Sequence, residues 1–230
     1  MNVSPRSNCR LVKKTSILAI MLAALLSQQF SAQAQEARPD LSGFWNRRGP
    51  SVEASSAPAL TEEGQRLYEI NSAGIEASDP NIDFILQCLP AGFPRSVQGR
   101  ATFYLAQTEA VVVWVGGAGG IPQMIYMNDD FLDSWPLYMG DAIGHWEGDT
   151  LVVEVTNVNT KTFMHDSGLP HSDELHVTER LSLIEGGAAL RNDIAMEDPI
   201  ILTEPWEYTV IYERSDEKPA EYVCENTRLR

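Results

Sequence analysis

The sequence predicts a mainly β domain: an antiparallel meander that closes into a barrel or a strongly curved sheet, with one or two short N-terminal helices. Three observations carry this. From residue 101 onward, short runs rich in β-branched and aromatic residues follow one another, separated by glycine- and acid-rich turns. Two runs alternate with period two: Leu151, Val153 and Val155 share one face, and so do Leu175, Val177, Glu179, Leu181 and Leu183. Helical periodicity is confined to a stretch before residue 90. Closure into a small barrel of the calycin or lipocalin kind removes the two bare edges that an open sheet of this length would leave.

Residues 1–34 have the order of a cleavable signal peptide. Arg6, Arg10, Lys13 and Lys14 come first, an apolar run over residues 17–26 follows, and Ala32-Gln33-Ala34 ends it with a small-x-small site. The run is about half the roughly 20 residues that span a bilayer, so a membrane anchor is disfavoured. Residues 35–58, with Pro39, Gly43, Gly49, Pro50 and Pro58, read as an extended lead-in containing a first short strand at 41–45. Residues 59–230 form the β-rich domain. A helix is expected over 61–70, where Thr61 can cap, Glu62 and Glu63 suit the first turn, and Leu60, Leu67 and Tyr68 supply an apolar side. A second helix or turn is expected over 81–87, then a proline-stiffened loop, Leu89-Pro90-Ala91-Gly92-Phe93-Pro94. Strands are expected at 102–107, 110–115, 121–127, 143–146, 150–157, 175–184, 189–196, 207–213 and 221–224. Glu147-Gly148-Asp149 and Gly186-Gly187 mark hairpins.

The whole chain carries a net charge of −15. The leader holds four of the 17 basic residues and none of the 32 acidic ones, so the 196-residue remainder, with 13 basic and 32 acidic residues, carries −19. Such a surface repels nucleic acid and anionic membranes, and it suits neutral or cationic partners. Loss of the leader also removes Cys9. The two cysteines left, Cys88 and Cys224, are expected to form one disulfide in a periplasmic or secreted protein.

Three clusters can do chemistry. Gly144-His145-Trp146-Glu147-Gly148-Asp149-Thr150 puts a histidine and two carboxylates at a hairpin tip beside an indole, a carboxylate-oriented base next to an aromatic wall. The blander reading has Glu147 and Asp149 capping the turn and Trp146 filling the core. His171-Ser172-Asp173-Glu174-Leu175-His176 precedes Glu179-Arg180. Two histidines five apart do not supply a zinc set, and Ser172 lacks a nucleophile elbow. Glu179 falls on an apolar face, which requires either an ion pair, plausibly with an arginine, or a raised pKa. In the third cluster, the loop after Cys88 ends in Arg95, placed to pair with a carboxylate or phenolate or simply to plug the barrel. Gly116–Gly120 lacks the strand–helix context and lysine of a phosphate loop.

Cys88-x-Pro90-x-Gly92-x-Pro94-Arg95, Gly144-His145-Trp146-Glu147-Gly148-Asp149-Thr150-Leu151-Val152-Val153, His171-Ser172, Glu179-Arg180, Asp198-Pro199 and Pro205-Trp206 occur in a fixed order. In this the chain resembles a large group of secreted bacterial proteins of unassigned function that carry a G-[HR]-W-E-G-D-T-L-V-V motif. The resemblance spans residues 41–226 and implies an exported β-barrel-like domain. The chain departs from the group's pattern at Asn128-Asp129-Asp130, where an aspartate-glycine-arginine turn is expected after Tyr126, and at Asp141, where a serine commonly follows the glycine. Both departures imply a pocket lined differently.

The expected function is a cofactor-independent lyase or isomerase acting on a small aromatic or polycyclic compound. His145 or His171 would be the base, Glu147 or Asp149 would orient it, and Glu179 would be a further acid/base group. Arg95 or Arg180 would stabilise negative charge, with Tyr126 and Trp146 contributing to the substrate site. One alternative is a non-enzymatic periplasmic barrel holding a small apolar ligand. Another is a metal-dependent hydrolase using His171, Asp173 and His176. Neither a cofactor nor a nucleic-acid partner is expected.

Overall fold

In chain order the computed structural model contains β1 (Gly43–Arg47), β2 (Glu53–Ala54) and helix α1 (Glu62–Glu76). Two 3-10 turns follow, at Phe84–Gln87 and Arg95–Gln98. Then come β3 (Phe103–Gln107), β4 (Val111–Gly116), β5 (Gln123–Met127), β6 (Asp141–Glu147), β7 (Thr150–Thr156), β8 (His176–Ile184), β9 (Ala189–Glu197) and β10 (Trp206–Ser215). The structure describes residues 38–49, 53–54, 57–98, 102–116, 121–127, 129–131, 135–218 and 224. The expected leader and residues 221–223 of the last expected strand lie outside them.

Nine strands close a barrel. The order runs β1-β3-β4-β5-β6-β7-β8-β9-β10, and β10 returns to β1 with Phe44 opposite Ser215 and Arg47 opposite Tyr212. The short β2 pairs with the other part of the same β10 edge, at Tyr208 and Thr209. The calycin-like barrel expected from the sequence is therefore present, with one departure from a pure meander. β5 and β6 run parallel, Ile125 opposite Ala142 and Met127 opposite Gly144. Parallel neighbours need a crossover of a dozen or more residues, and residues 128–140 supply it. Every other pairing in the barrel is antiparallel.

The two-residue period assigns each side chain to the inside or outside. Trp45, Phe103, Leu105, Trp114, Ile125, Leu151, Val153, Leu181, Ile194 and Tyr212 point inward and are buried. Phe103 stacks on Trp114 with centroids 3.9 Å apart, and Tyr212 meets both rings edge-on at 4.8 and 5.8 Å. Each such pair adds roughly 0.5–1.5 kcal/mol beyond its buried area. The interior of this part of the barrel is a packed core.

The loop after Cys88 plugs one end, as one of its two readings had it. Phe93 and Val97 join the core, and the Tyr212 hydroxyl donates to Val97 O at 3.0 Å. The loop passes so close to its neighbours that a Cβ on Gly92 would stand 2.1 Å from Thr162 Cγ2 and 2.6 Å from Tyr138 O. With φ at +68°, only glycine fits there. The helix forms as its sequence indicated and runs six residues further. Thr61 caps it by accepting from Gly64 N at 2.9 Å, and Gly64 lies against the Ile201 backbone. Asn71 and Ser72 donate to Gly168 O and Ser167 O, docking α1 on the loop that precedes β8.

Cys88 and Cys224 are joined, with Cα atoms 5.5 Å apart and a sequence separation of 136. Closing so long a loop restricts the unfolded chain. Reduction, or paired Cys88→Ser and Cys224→Ser substitution, is expected to lower the unfolding free energy by about 3–5 kcal/mol. Urea titration with and without dithiothreitol measures this, and an unchanged midpoint would contradict it.

Candidate functional site

Strand alternation divides the expected site residues between two faces of the same wall. His145 and Arg180 both stand opposite Val152 in register and point outward, as does Glu147. Glu147 bridges the other two: its Oε1 lies 3.3 Å from His145 Nε2, and its Oε2 accepts from Arg180 Nη2 at 2.7 Å. The Arg180 guanidinium first, and His145 second, hold the Glu147 carboxyl below the usual carboxylate range. The expected histidine–carboxylate contact therefore exists on the outer wall, where Arg180 also lines a cavity of about 470 Å³ with Thr178, Arg191, Asp193 and Thr209. Asp149 stands exposed at the hairpin tip, outside that chain of contacts. Trp146 does not wall this group. One residue from His145 on a strand, it faces the opposite way and packs, half-buried, against the core. Tyr126, on the outer face of β5, lines a groove with Met124, Leu137 and Met139 rather than joining His145.

Glu179 and Arg180 are separated by the same rule. Glu179 points inward, is 1 % exposed, and accepts from Asn192 Nδ2 at 2.6 Å. An amide, not the expected arginine, supplies its hydrogen bond. Burial pushes its carboxyl up to about 7, with the Asn192 amide opposing. Burial likewise raises the pKa of the nearby Tyr212 phenol, and the Glu179 charge adds to that. His145 and Glu179 cannot act on one substrate, because the barrel wall lies between them.

Two further expected residues hold loops together. His171 is 5 % exposed. Its Nδ1 donates to Ser172 O at 2.8 Å, which leaves Nε2 to accept from the Thr162 hydroxyl at 2.7 Å. Burial lowers its pKa, so the ring stays neutral. Both ring nitrogens are engaged by protein groups, and the buried ring is shielded from solvent. Arg95 spends its guanidinium on two carboxylates. It meets Asp83 twice, at 2.8 and 3.2 Å, and Asp166 once, at 2.7 Å, while lying 5.5 Å from the centre of the Phe163 ring. Arg95 thus clamps the plug loop to the 160s loop. The set proposed for a hydrolytic metal does not converge either. Among the described residues no three His, Cys, Asp or Glu side chains are grouped for a metal, and His176 faces Glu154 at 3.9 Å.

A different histidine stands in a pocket. Between α1, the segment at 57–60, the 165–169 loop and the start of β10 lies a cavity of about 360 Å³, lined by Leu60, Gln65, Tyr68, His165, Leu169 and Trp206 among others. Pockets of about 300–1,000 Å³, mostly apolar with a few polar groups, are the usual size and character of small-molecule sites. The rings of His165 and Trp206 meet edge-on at 6.4 Å. Ser167 N donates to His165 Nδ1 at 3.1 Å, and the Ser167 hydroxyl lies 2.9 Å from the same atom. Nδ1 is therefore an acceptor, and in the neutral ring the proton sits on Nε2. Burial depresses the His165 pKa, more than the Asp166 charge restores it, which keeps the ring neutral at pH 7. The result is an uncharged N–H donor beside two aromatic side chains.

His165 belongs to none of the three clusters that the sequence singles out. Its partners Tyr68 and Trp206 lie about 100 and 40 residues away. Only the docking of α1 brings the three together.

The buried Glu179 carboxyl has a pH signature. Its folded pKa of about 7 exceeds the ordinary 4.5, so the folded state holds a proton that the unfolded state releases between these values. The protonated carboxyl is tolerated fully below pH 4.5. Stability then falls as pH rises through about 7, by an amount on the order of 3 kcal/mol. Glu179→Gln, neutral at every pH, is expected to match the wild type near pH 4 and to exceed it at pH 8. An equal difference in melting temperature at both pH values would contradict this.

No protein-family model matches this chain, and no curated protein matches it significantly.

Proposed function

We propose that this chain is an exported protein that binds a small aromatic or apolar molecule in the pocket between α1 and the barrel. One observation carries the reading: Tyr68 and Trp206 form aromatic walls around an uncharged His165 whose Nε2–H has no protein acceptor among the described residues. Aromatic faces take up a flat ligand by dispersion and desolvation, and a single donor fixes its orientation through one oxygen or nitrogen. The net charge of −15 favours a neutral or cationic ligand over an anionic one. The Cys88–Cys224 disulfide supports an oxidising compartment, and no described helix is long and apolar enough to cross a membrane.

A second reading, a lyase or isomerase working by acid/base chemistry without a cofactor, is favoured by the same histidine. A neutral imidazole held as the Nε2–H tautomer can polarise a carbonyl of the bound molecule by donating a hydrogen bond to its oxygen. In this reading His165 is a hydrogen-bond donor to the substrate, not the base first expected at His145 or His171. Glu147, Glu179, Arg95 and Arg180 stay outside the site.

The test uses 2-naphthol, a flat aromatic with one hydroxyl, titrated calorimetrically. His165→Ala is expected to weaken binding about tenfold, the loss of one well-placed hydrogen bond. Tyr68→Ala should weaken it at least as much, and His145→Ala should leave it unchanged. Equal affinity for wild type and His165→Ala, or loss of binding only in His145→Ala, would overturn the assignment of the site.

A further inference from the structure

The cavity of about 470 Å³ beside Arg180 lies on the outer wall, over β8, β9 and β10. A depression on the outside of a closed barrel needs a local cause, and the register supplies one. Glu179, Ile194 and Tyr208 are buried on the inside, so their neighbours Thr178, Arg180, Asp193, Ala195, Glu207 and Thr209 point outward. They form two rows that cross the three strands side by side. Thr178, Ala195 and Glu207 align in one, and Arg180, Asp193 and Thr209 in the other. Ala195 stands at the centre of the first row, and its methyl group makes a low floor among longer side chains.

The charges around this floor differ in how far the protein itself uses them. Arg191 grips both oxygens of Asp193, at 2.7 and 2.8 Å, and the Thr209 hydroxyl donates to the same carboxylate. That acid is satisfied. Arg180 is not: its one hydrogen bond among the described residues runs from Nη2 to Glu147 at 2.7 Å, and a guanidinium has five N–H donors. Glu207, exposed on the far side of the floor, has neither a hydrogen bond nor an ion pair among the described residues. Arg180 and Glu207 are two strands and one same-face step apart, about 12 Å between backbones at ordinary strand spacing. They leave a gap between them rather than an ion pair.

We propose that this cavity is a ligand site independent of the α1 pocket, and that it takes a small zwitterion with its carboxylate on Arg180 and its ammonium on Glu207. The planar guanidinium suits a carboxylate, to which it can donate two parallel hydrogen bonds, and Glu207 accepts from an ammonium. The charges that line the cavity, Arg180 and Arg191 against Asp193 and Glu207, cancel. A ligand without net charge also escapes the repulsion that a chain at −15 imposes on an anion. A simple anion would leave Glu207 unused, and a simple cation would leave the spare donors of Arg180 unused.

Calorimetric titration of the purified protein with 4-aminobutanoate tests this, with butanoate and butylamine as the two half-ligands. Both charged groups are exposed, so the expected dissociation constant is about 1 mM, rising as sodium chloride is added. Each half-ligand is expected to bind about tenfold more weakly than the zwitterion. Glu207→Gln should abolish the preference over butanoate, and Arg180→Gln the preference over butylamine. Ala195→Phe, which fills the floor from the outer face, should remove binding altogether. All three variants are expected to keep the wild-type melting temperature. Absence of binding at 20 mM overturns the proposal, as does equal affinity of the wild type for 4-aminobutanoate and either half-ligand. So does an unchanged preference in both charge variants, or equal affinity for glucose, which would make the cavity a general polar groove.

Discussion

The pairing of β10 with β1 is the contact on which the rest of the molecule depends. Four residue pairs, Phe44 with Ser215 through Arg47 with Tyr212, turn a row of strands into a closed wall. Once the wall is closed, every strand has an inside and an outside, and the period of two decides which side chains can meet. Trp45, Phe103, Trp114 and Tyr212 then fill the interior as a core. A barrel filled with its own aromatic rings has no use for a ligand there. The proposed binding pocket lies instead at the barrel's end, where α1 docks against the 165–169 loop.

The same constraint explains why neighbouring residues in sequence do unrelated jobs. His145 and Trp146 are adjacent, yet one lies in a surface chain of charges and the other against the core. Glu179 and Arg180 are separated in the same way. The inward carboxyl of Glu179 is tolerated because Asn192, in the same wall, donates to it. That one hydrogen bond offsets only part of the desolvation, and this is why burial dominates its pKa.

Much of the barrel was legible in the sequence because strand signals are local. The β-branched runs, the hairpin glycines at Gly148 and Gly186-Gly187, and the Thr61 cap each depend on a few adjacent residues. The parallel β5–β6 pair was not legible. Nothing in residues 121–127 or 141–147 states their relative direction, which is set by the path of the 128–140 crossover. Glu179 was readable as an inward carboxyl from alternation alone, whereas its Asn192 partner depends on the β8–β9 register. The pocket was the least legible part. Tyr68, His165 and Trp206 come from three distant segments, and of these only Trp206 falls in a motif, Pro205-Trp206. The Gly144–Thr150 block carried the stronger local signal, and His145 and Glu147 do meet there, but on the outer wall, with Trp146 facing the other way.

Barrel closure is tested most directly by amide hydrogen exchange resolved strand by strand. The account predicts that the β1 and β10 amides that face each other exchange as slowly as those of the β8–β9 ladder, because both belong to one continuous wall. Rapid exchange along the β1-facing edge of β10, with β8 and β9 still protected, would mean that the sheet is open. Inside and outside would then no longer separate the site residues as described.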